Sequence, residues 1–284
     1  MIDPASTMAT KHSRARKVGI EAVYGEYRKL VFVPMAQSAE AGRMTTATEL
    51  GGKQVLIVAG GSGIGRQLAQ DALDQGARVT ITGRSADAVQ KVADSIDGEV
   101  ATAVVDLGNE DSIAELATEL ARRDVVVEHL ISLANAPAKG PVEKLEREAI
   151  AKAFDAKVIG ALLLVKHLRP TTSVTLFSGI VGWRPKPGMV VTATTNGAVA
   201  FLAQALAVEL APVRVNAVSP GIIDSGAWDG MGADKERMYA DVAAKNPARR
   251  IGTTEDVSAA VLSAITNPFL TGTVLHLDGG ARLA

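Results

Sequence analysis

Short apolar runs alternate along the chain with longer segments in which apolar residues recur every three or four positions. The short runs are typical of buried strands, and the longer segments have the period of helices. The pattern predicts strands at residues 54–59, 77–82, 99–105, 125–133, 173–178, 213–218 and 273–277. It predicts helices at residues 63–75, 86–96, 109–123, 143–168, 193–210 and 255–265. A glycine-rich stretch at residues 221–247 is expected to be mobile.

The predicted strands are continuously apolar rather than alternating between apolar and polar residues. Such strands are typical of parallel sheets that are buried on both faces. Right-handed crossovers then place helices on both sides of the sheet. We therefore expect an α/β fold with a doubly wound parallel sheet, in one domain over residues 44–284. Ligands of such folds bind at the carboxyl ends of the strands.

Composition narrows the class of protein. The 284 residues include no cysteine, which excludes disulfides and thiolate catalysis. A formal net charge of −1 argues against nucleic acid as the main partner. No apolar run approaches the roughly 20 residues of a membrane span, so we expect no membrane partner. A cytoplasmic location fits these features, and no metal site is expected.

The first 43 residues differ in charge from the remainder, with seven Lys or Arg against four Asp or Glu. They contain no apolar core of a secretory signal. We expect residues 1–43 to be a leader, added by cloning or translated from upstream, or a disordered segment. Met44 would then be the natural start. The alternative is a short folded element, because residues 20–34 contain several apolar side chains.

A glycine cluster lies after the first predicted strand and opens the first predicted helix. Residues 58–65 read VAGGSGIG. Glycines let the backbone approach a ligand closely, and the unpaired N–H groups of a helix start suit a phosphate. A plain strand-to-helix turn can also use glycines, so this spacing alone leaves the ligand open.

The chain resembles the short-chain dehydrogenase/reductase family over residues 54–280, which implies a Rossmann-type sheet. The glycine turn is similar to the TGxxxGxG element of that family. Aligned without a gap, Val58 replaces the threonine and Ala59 the first glycine, whereas a one-residue deletion would keep Gly60 as that glycine. The resemblance implies that the turn holds the pyrophosphate of a dinucleotide, through Gly60, Gly61, Ser62, Gly63, Ile64 and Gly65.

Two further strand ends resemble cofactor contacts. Arg84 comes after the second strand, where members that prefer NAD carry an acid for the ribose 2′-OH. An arginine pairs with a 2′-phosphate instead, so we expect NADP(H) rather than NAD(H). The alternative is a solvated loop arginine. Asp106 and Leu107 come after the third strand and resemble the pair that contacts adenine, although Asp106 could merely stabilise the loop.

The segments after the fourth and sixth predicted strands also resemble cofactor contacts of the family. Asn135 and Ala136 match part of the family's NNAG element, and the alternative is that Asn135 satisfies backbone groups at the strand end. The turn after the sixth strand resembles the part of the family that meets the nicotinamide. By itself it would be an ordinary Pro-Gly turn. Its candidate contacts are Pro220, Gly221, Ile223 and Ser225.

The catalytic positions depart from the family. The family uses a serine, a Tyr-x-x-x-Lys pair, and an asparagine in the preceding long helix. Here Thr192 stands at the tyrosine position, Asn196 at the lysine position and Lys157 at the asparagine position. Ser178 lies near the serine position, although Gly179 fits the spacing equally well. Threonine does not titrate near neutral pH, and asparagine supplies no positive charge.

Two other residues bear on this departure. Lys157 could act in place of the missing lysine from a different helix, or it could be a lysine on an exposed helix face. Tyr239 is not at the family position, but it lies in the segment that covers the substrate in relatives.

These features predict an NADP(H)-dependent oxidoreductase that acts on a carbonyl or alcohol carbon of a small molecule. Its atypical active site would contain Ser178, Thr192 and Asn196. The alternatives are a nucleotide-binding protein without dehydrogenase activity, serving as a sensor or partner subunit, and a different reaction on the same fold. The resemblance also implies a homo-oligomer, a dimer or tetramer, because relatives are commonly tetramers.

Overall fold

The computed structural model describes residues 50–61 and 63–284. The expectation for residues 1–43 and the predicted cofactor contact of Ser62 concern residues outside these ranges.

A seven-stranded sheet, parallel throughout, forms the centre of the fold. Its strands are β1 Gln54–Val58, β2 Arg78–Gly83, β3 Val100–Val104, β4 His129–Ser132, β5 Ser173–Phe177, β6 Arg214–Pro220 and β9 Val274–Leu277. Their spatial order is β3-β2-β1-β4-β5-β6-β9. Two short strands, β7 Ile223–Asp224 and β8 Gly252–Thr253, pair separately and in parallel. The chain adds strands in one direction from β1 to β3 and then returns to place β4 on the other side of β1. This reversal of direction confirms the predicted doubly wound α/β sheet.

Helices connect the strands. They are α1 Gly63–Asp74, α2 Ala86–Ala93, α3 Glu110–Arg122, α4 Arg147–Phe154, α5 Gly160–Leu168, α6 Val190–Glu209, α7 Asp234–Lys245 and α8 Thr254–Thr266. Alternate residues of β1 point to opposite faces of the sheet, as in any strand. Leu56 and Val58 pack in the cluster that includes α3, α5 and α6. Val55 and Ile57 pack in the cluster that includes α1 and α8. The sheet is therefore covered on both faces, as the sequence predicts.

Two predicted segments differ from the structure. The single helix predicted over residues 143–168 is divided, because a π-helical turn at Asp155–Ile159 separates α4 from α5. The glycine-rich stretch at residues 221–247, predicted without secondary structure, forms α7 in its second half, and its mobility stays a prediction. The glycines of that stretch all precede α7, whose own residues DKERMYADVAAK include several good helix formers.

Among the described residues, α6 is the one helix long and apolar enough to cross a membrane, with a mean hydropathy of 1.4 over its best window. The sequence-based statement that no apolar run approaches this length is therefore wrong for α6. Threonines and Asn196 interrupt its apolar character without breaking the helix. Val199, Ala203 and Leu206 pack in the core, so one side of α6 packs against the rest of the fold.

Candidate functional site

A cavity of about 600 Å³ opens at the carboxyl ends of β1, β2, β3 and β4. The crossover point of a doubly wound sheet is where such folds bind ligands. The side of α4 and the π-helical turn closes the cavity through Lys152, Asp155 and Ala156. Five residues predicted from the sequence line it together: Arg84, Asp106, Leu107, Asn135 and Ala136. These five residues follow β2, β3 and β4, and Val58 and Ala59 at the end of β1 also line the cavity.

Two polar side chains of this cavity, those of Arg84 and Asn135, have no partner among the described residues. Arg84 is exposed at the end of β2 and, within residues 50–61 and 63–284, makes neither an ion pair nor a hydrogen bond. Asn135 is also exposed, and its side chain bonds no described backbone group, which disfavours the strand-end alternative. Asp106 uses one carboxylate oxygen to accept from the Gly108 N–H at 3.0 Å. Asp106 therefore stabilises its loop and still keeps a second oxygen for other partners.

The glycine turn contains glycines of two kinds. A Cβ on Gly65 would lie 2.4 Å from the Gly60 carbonyl oxygen, and a Cβ on Gly63 would lie 2.4 Å from the Ser225 carbonyl oxygen. These two positions need glycine because other backbone lies against them: the start of the same turn against Gly65, and the loop after β7 against Gly63. Gly61 is different, since nothing lies within 4 Å of its hypothetical Cβ and the residue is exposed. The fold itself does not require a glycine there.

Ala59 adopts a left-handed backbone conformation, with φ of 58°. Alanine is strained there by roughly 1 kcal/mol or more, whereas glycine is not. This conformation favours the alignment without a gap, in which Ala59 occupies the position of the family's first glycine. Ile64 packs its side chain on the core, so any contact it makes with a cofactor would come from its backbone.

The residues predicted to meet the nicotinamide lie outside this cavity. The side chain of Ile223 is buried in the core, which leaves only its backbone for a ligand. Gly221 donates its N–H to the Leu277 carbonyl at 2.9 Å, and Pro220 ends β6 beside it. The Ser225 carbonyl lies directly against Gly63. The loop after β7 therefore packs on the glycine turn.

The three predicted catalytic residues are buried and engaged within the fold. The Ser178 hydroxyl donates to the Asn196 backbone carbonyl at 2.8 Å. The Thr192 hydroxyl donates to the Ala138 carbonyl at 3.4 Å, a long contact. A Cβ on Gly179 would lie 2.9 Å from Nδ2 of Asn196, so position 179 has little room for a side chain. None of Ser178, Thr192 and Asn196 lines the 600 Å³ cavity.

Lys157 lies in the π-helical turn and is only 7% exposed, so the expectation of an exposed helix face is wrong for it. Its ammonium group donates to the carbonyls of Phe177 at 2.9 Å and Ser178 at 3.1 Å, and to Oδ1 of Asn196 at 2.8 Å. Burial lowers the pKa of Lys157 to about 8. The ammonium group thus reaches Asn196 from a different helix. That Lys157 acts in place of the missing lysine stays a prediction.

Tyr239 is buried on α7 and donates its hydroxyl to a carboxylate oxygen of Asp224 at 3.0 Å. Burial and this hydrogen bond raise the pKa of Tyr239. Lys235 pairs with Asp224 at 3.2 Å and with Asp229 at 2.7 Å. Tyr239 therefore fastens α7 to the end of β7, and its hydroxyl is committed to that contact.

Comparison with known proteins shows the family of the chain. The family model described as enoyl-(acyl carrier protein) reductase matches residues 58–282. The chain belongs to the short-chain dehydrogenase/reductase family. These oxidoreductases bind nicotinamide cofactors. The chain is 30% identical over 268 residues to the short-chain dehydrogenase/reductase ucsE of an Acremonium species, covering 84% of this chain and 98% of the relative.

Two solved structures show the same likeness. The MalC reductase/Diels-Alderase from Malbranchea aurantiaca superposes with a TM-score of 0.79 at 30% identity, covering 84% of this chain and 100% of that one. A small-chain dehydrogenase in complex with NADPH superposes with a TM-score of 0.67 at 31% identity, covering 82% of this chain and 100% of that one.

Proposed function

We propose that the chain is an NADP(H)-dependent oxidoreductase that acts on a carbonyl or alcohol carbon of a small molecule through an atypical active site. The observation that carries this proposal is the guanidinium of Arg84 at the rim of the 600 Å³ cavity, which has no ion-pair or hydrogen-bond partner within residues 50–61 and 63–284. A free arginine at the end of β2 suits a 2′-phosphate, and a carboxylate would suit the 2′-OH of NAD(H). The similarity to a dehydrogenase solved with NADPH supports the same cofactor.

The residues of the cavity fit a dinucleotide. Arg84 would bind the 2′-phosphate, and Asp106, Leu107, Asn135 and Ala136 would surround the adenosine half. The open space at Gly61 would admit the pyrophosphate close to the backbone. When bound, a nicotinamide cofactor supplies the hydride chemistry.

The chain's own residues supply binding and orientation more than proton transfer. Asn196 would hold a ribose hydroxyl through its amide. The Thr192 hydroxyl, or a water, would orient the substrate oxygen, since the Ser178 hydroxyl donates to the Asn196 carbonyl at 2.8 Å and the contact of Thr192 with the Ala138 carbonyl is longer, at 3.4 Å. A threonine hydroxyl does not titrate near neutral pH. Turnover is therefore expected to be slower than with a tuned tyrosine acid.

Cofactor preference is tested by titrating NADPH and NADH against the wild type and Arg84→Asp. We expect the variant to lose affinity for NADPH by roughly tenfold or more, while NADH binding changes less, because only NADPH carries the 2′-phosphate. Arg122→Asp is the control, since Arg122 is exposed on α3 and makes the same charge change away from the cavity. An equal loss for both nucleotides would refute the NADP preference.

A second candidate function is nucleotide binding without dehydrogenase activity, as a sensor or partner subunit. The burial and engagement of Ser178, Thr192 and Asn196 favour this alternative. NADPH oxidation against a panel of carbonyl compounds separates the two. Tight NADPH binding without turnover would support the alternative for that panel, and failure to bind either nucleotide would refute both functions.

We also propose that the chain forms a homo-oligomer. Phe201 and Val208 on α6 are 75% and 82% exposed, and Leu162 on α5 is 43% exposed. Phe201 and Val208 are seven positions apart on α6 and so lie on one side of it, and large exposed apolar side chains that are grouped in this way often mark a protein interface. Light scattering should show a dimer or tetramer that Phe201→Asp weakens. A monomeric wild type at micromolar concentration would overturn this proposal.

A further inference from the structure

Three elements converge on the ammonium group of Lys157. The residue lies in the π-helical turn Asp155–Ile159, whose residues Asp155 and Ala156 line the cavity. Opposite it, Phe177 ends β5, Ser178 follows that strand, and Asn196 lies on α6. Single π-helical turns often occur at functional sites. Lys157 thus connects the wall of the cavity to the predicted catalytic positions.

The surroundings of this ammonium are polar but uncharged. All three acceptors are carbonyl oxygens, and no carboxylate in the described part of the chain forms an ion pair with Lys157. Burying a cation is costly, and a buried charge without a counterion is an expensive way to fill space. An apolar side chain of similar length would fill the same volume, but it would leave Oδ1 of Asn196 without the donor that Lys157 supplies, and an unpaired buried acceptor is itself costly. The charge therefore calls for a role beyond packing.

Lys157 also determines how the amide of Asn196 is turned. An ammonium group only donates hydrogen bonds, so the oxygen of the amide must face it, at 2.8 Å. The Nδ2 group then faces the other way, where it lies against Gly179. Within residues 50–61 and 63–284, Nδ2 has no hydrogen-bond acceptor of its own. Asn196 is therefore fixed as an N–H donor with its donor end unused.

We propose that Lys157 is a positioning residue that holds Asn196 with its Nδ2 group presented to an oxygen of the cofactor ribose or of the substrate. Lys157 and Asn196 are then an exchanged pair, in which the cation lies on the π-helical turn and the amide on α6. Because Nδ2 of Asn196 can only donate a hydrogen bond, its partner on the ligand must be an acceptor, such as a hydroxyl or carbonyl oxygen. This inference rests on the proposed function for the identity of that ligand.

The first test asks whether the two residues act together in the nucleotide-free protein. Urea unfolding is measured for the wild type, Lys157→Met, Asn196→Ala and the double variant. We expect a coupling of about tenfold in the unfolding equilibrium constant, since each single change removes the same contact. Lys144→Met is the control, because Lys144 is exposed and precedes the same helix. Effects that simply add, within about twofold, would overturn the positioning role.

The second test removes the donor and keeps the partner of Lys157. Asn196→Asp is nearly isosteric, still accepts from the ammonium group, and lacks the N–H donor. We expect its thermal midpoint to equal or exceed that of the wild type, while its NADPH dissociation constant rises about tenfold. An Asn196→Asp variant that is folded and binds NADPH as the wild type does would overturn the donor role.

The exchange itself offers a rescue experiment. Lys157→Asn combined with Asn196→Lys restores the arrangement that the family resemblance describes, and it should bind NADPH more tightly than either single variant. A double variant that binds no better than the worse single variant would count against the exchanged pair. If the wild type binds no NADPH, the proposed function fails, and the unfolding cycle still decides whether Lys157 positions Asn196.

Discussion

Two glycines of the turn should respond to alanine in opposite ways. In Gly65→Ala, the new Cβ would lie 2.4 Å from the Gly60 carbonyl oxygen and 2.5 Å from the Gly60 Cα. These atoms belong to backbone that cannot rotate aside, so the turn must open by roughly 1 Å. Overpacking of this kind costs about 1–3 kcal/mol of unfolding free energy. In Gly61→Ala, nothing lies within 4 Å of the new Cβ, and the change should stay within about 0.5 kcal/mol.

Urea unfolding of the nucleotide-free proteins, and then NADPH titration, tests this contrast. Gly65→Ala should lower the unfolding free energy. Gly61→Ala should leave the unfolding free energy unchanged. It should weaken NADPH binding about tenfold or more, because its methyl group would occupy the space that we propose for the pyrophosphate. Gly61→Ala thus serves as its own folding control. If it binds NADPH as tightly as the wild type, the turn does not hold a phosphate at Gly61, and an unchanged stability in Gly65→Ala would refute the packing argument.

Two further predictions concern stability. Burial lowers the pKa of His129 to about 4 from 6.5, so the unfolded chain takes up a proton at a higher pH than the folded one, and stability should fall as the pH drops from about 6.5 to 4. The unfolding free energy should fall by about 2 kcal/mol at pH 5 because of His129 alone. In urea unfolding, His129→Asn should lack this pH-dependent loss. An identical pH dependence in both proteins would contradict the assignment. Ala59 has a left-handed backbone with φ of 58°, and Ala59→Gly should relieve its strain. The variant should gain about 0.5–1 kcal/mol of unfolding free energy and unfold at a higher temperature. A lower thermal midpoint would show that Ala59 is not strained.

The sequence predicts where the cavity lies because a parallel sheet aligns the carboxyl ends of its strands. Arg84, Asp106 and Asn135 each come just after a predicted strand, and the structure brings all three to one cavity. Their placement depends only on strand order and crossover hand, both of which obey general rules. Their roles toward a cofactor remain predictions, because placement alone does not show what binds.

The burial of Lys157 could not be predicted in the same way. Helical periodicity assigns a face to each residue by rotating about 100° per position, and it assumes an unbroken α-helix. The π-helical turn at Asp155–Ile159 adds a residue to one turn and changes the face on which the later residues of the helix lie. The sequence does carry one indication that Lys157 is unusual, and it lies in the residue types rather than in their spacing. Lys157 and Asn196 each carry the residue type that the family places at the other position.

The binding half and the chemical half of this site differ in how they use their side chains. At the cavity, Arg84 and Asn135 are exposed and free of partners among the described residues, which leaves them available to a ligand. At the catalytic positions, Ser178 and Thr192 are buried and donate their hydroxyls to the backbone. Reduction of a carbonyl requires one proton for each hydride, and neither hydroxyl is a titratable acid near neutral pH. With the protons of Lys157 held by three carbonyl oxygens, the described residues at these positions leave water as the proton source for the proposed reduction.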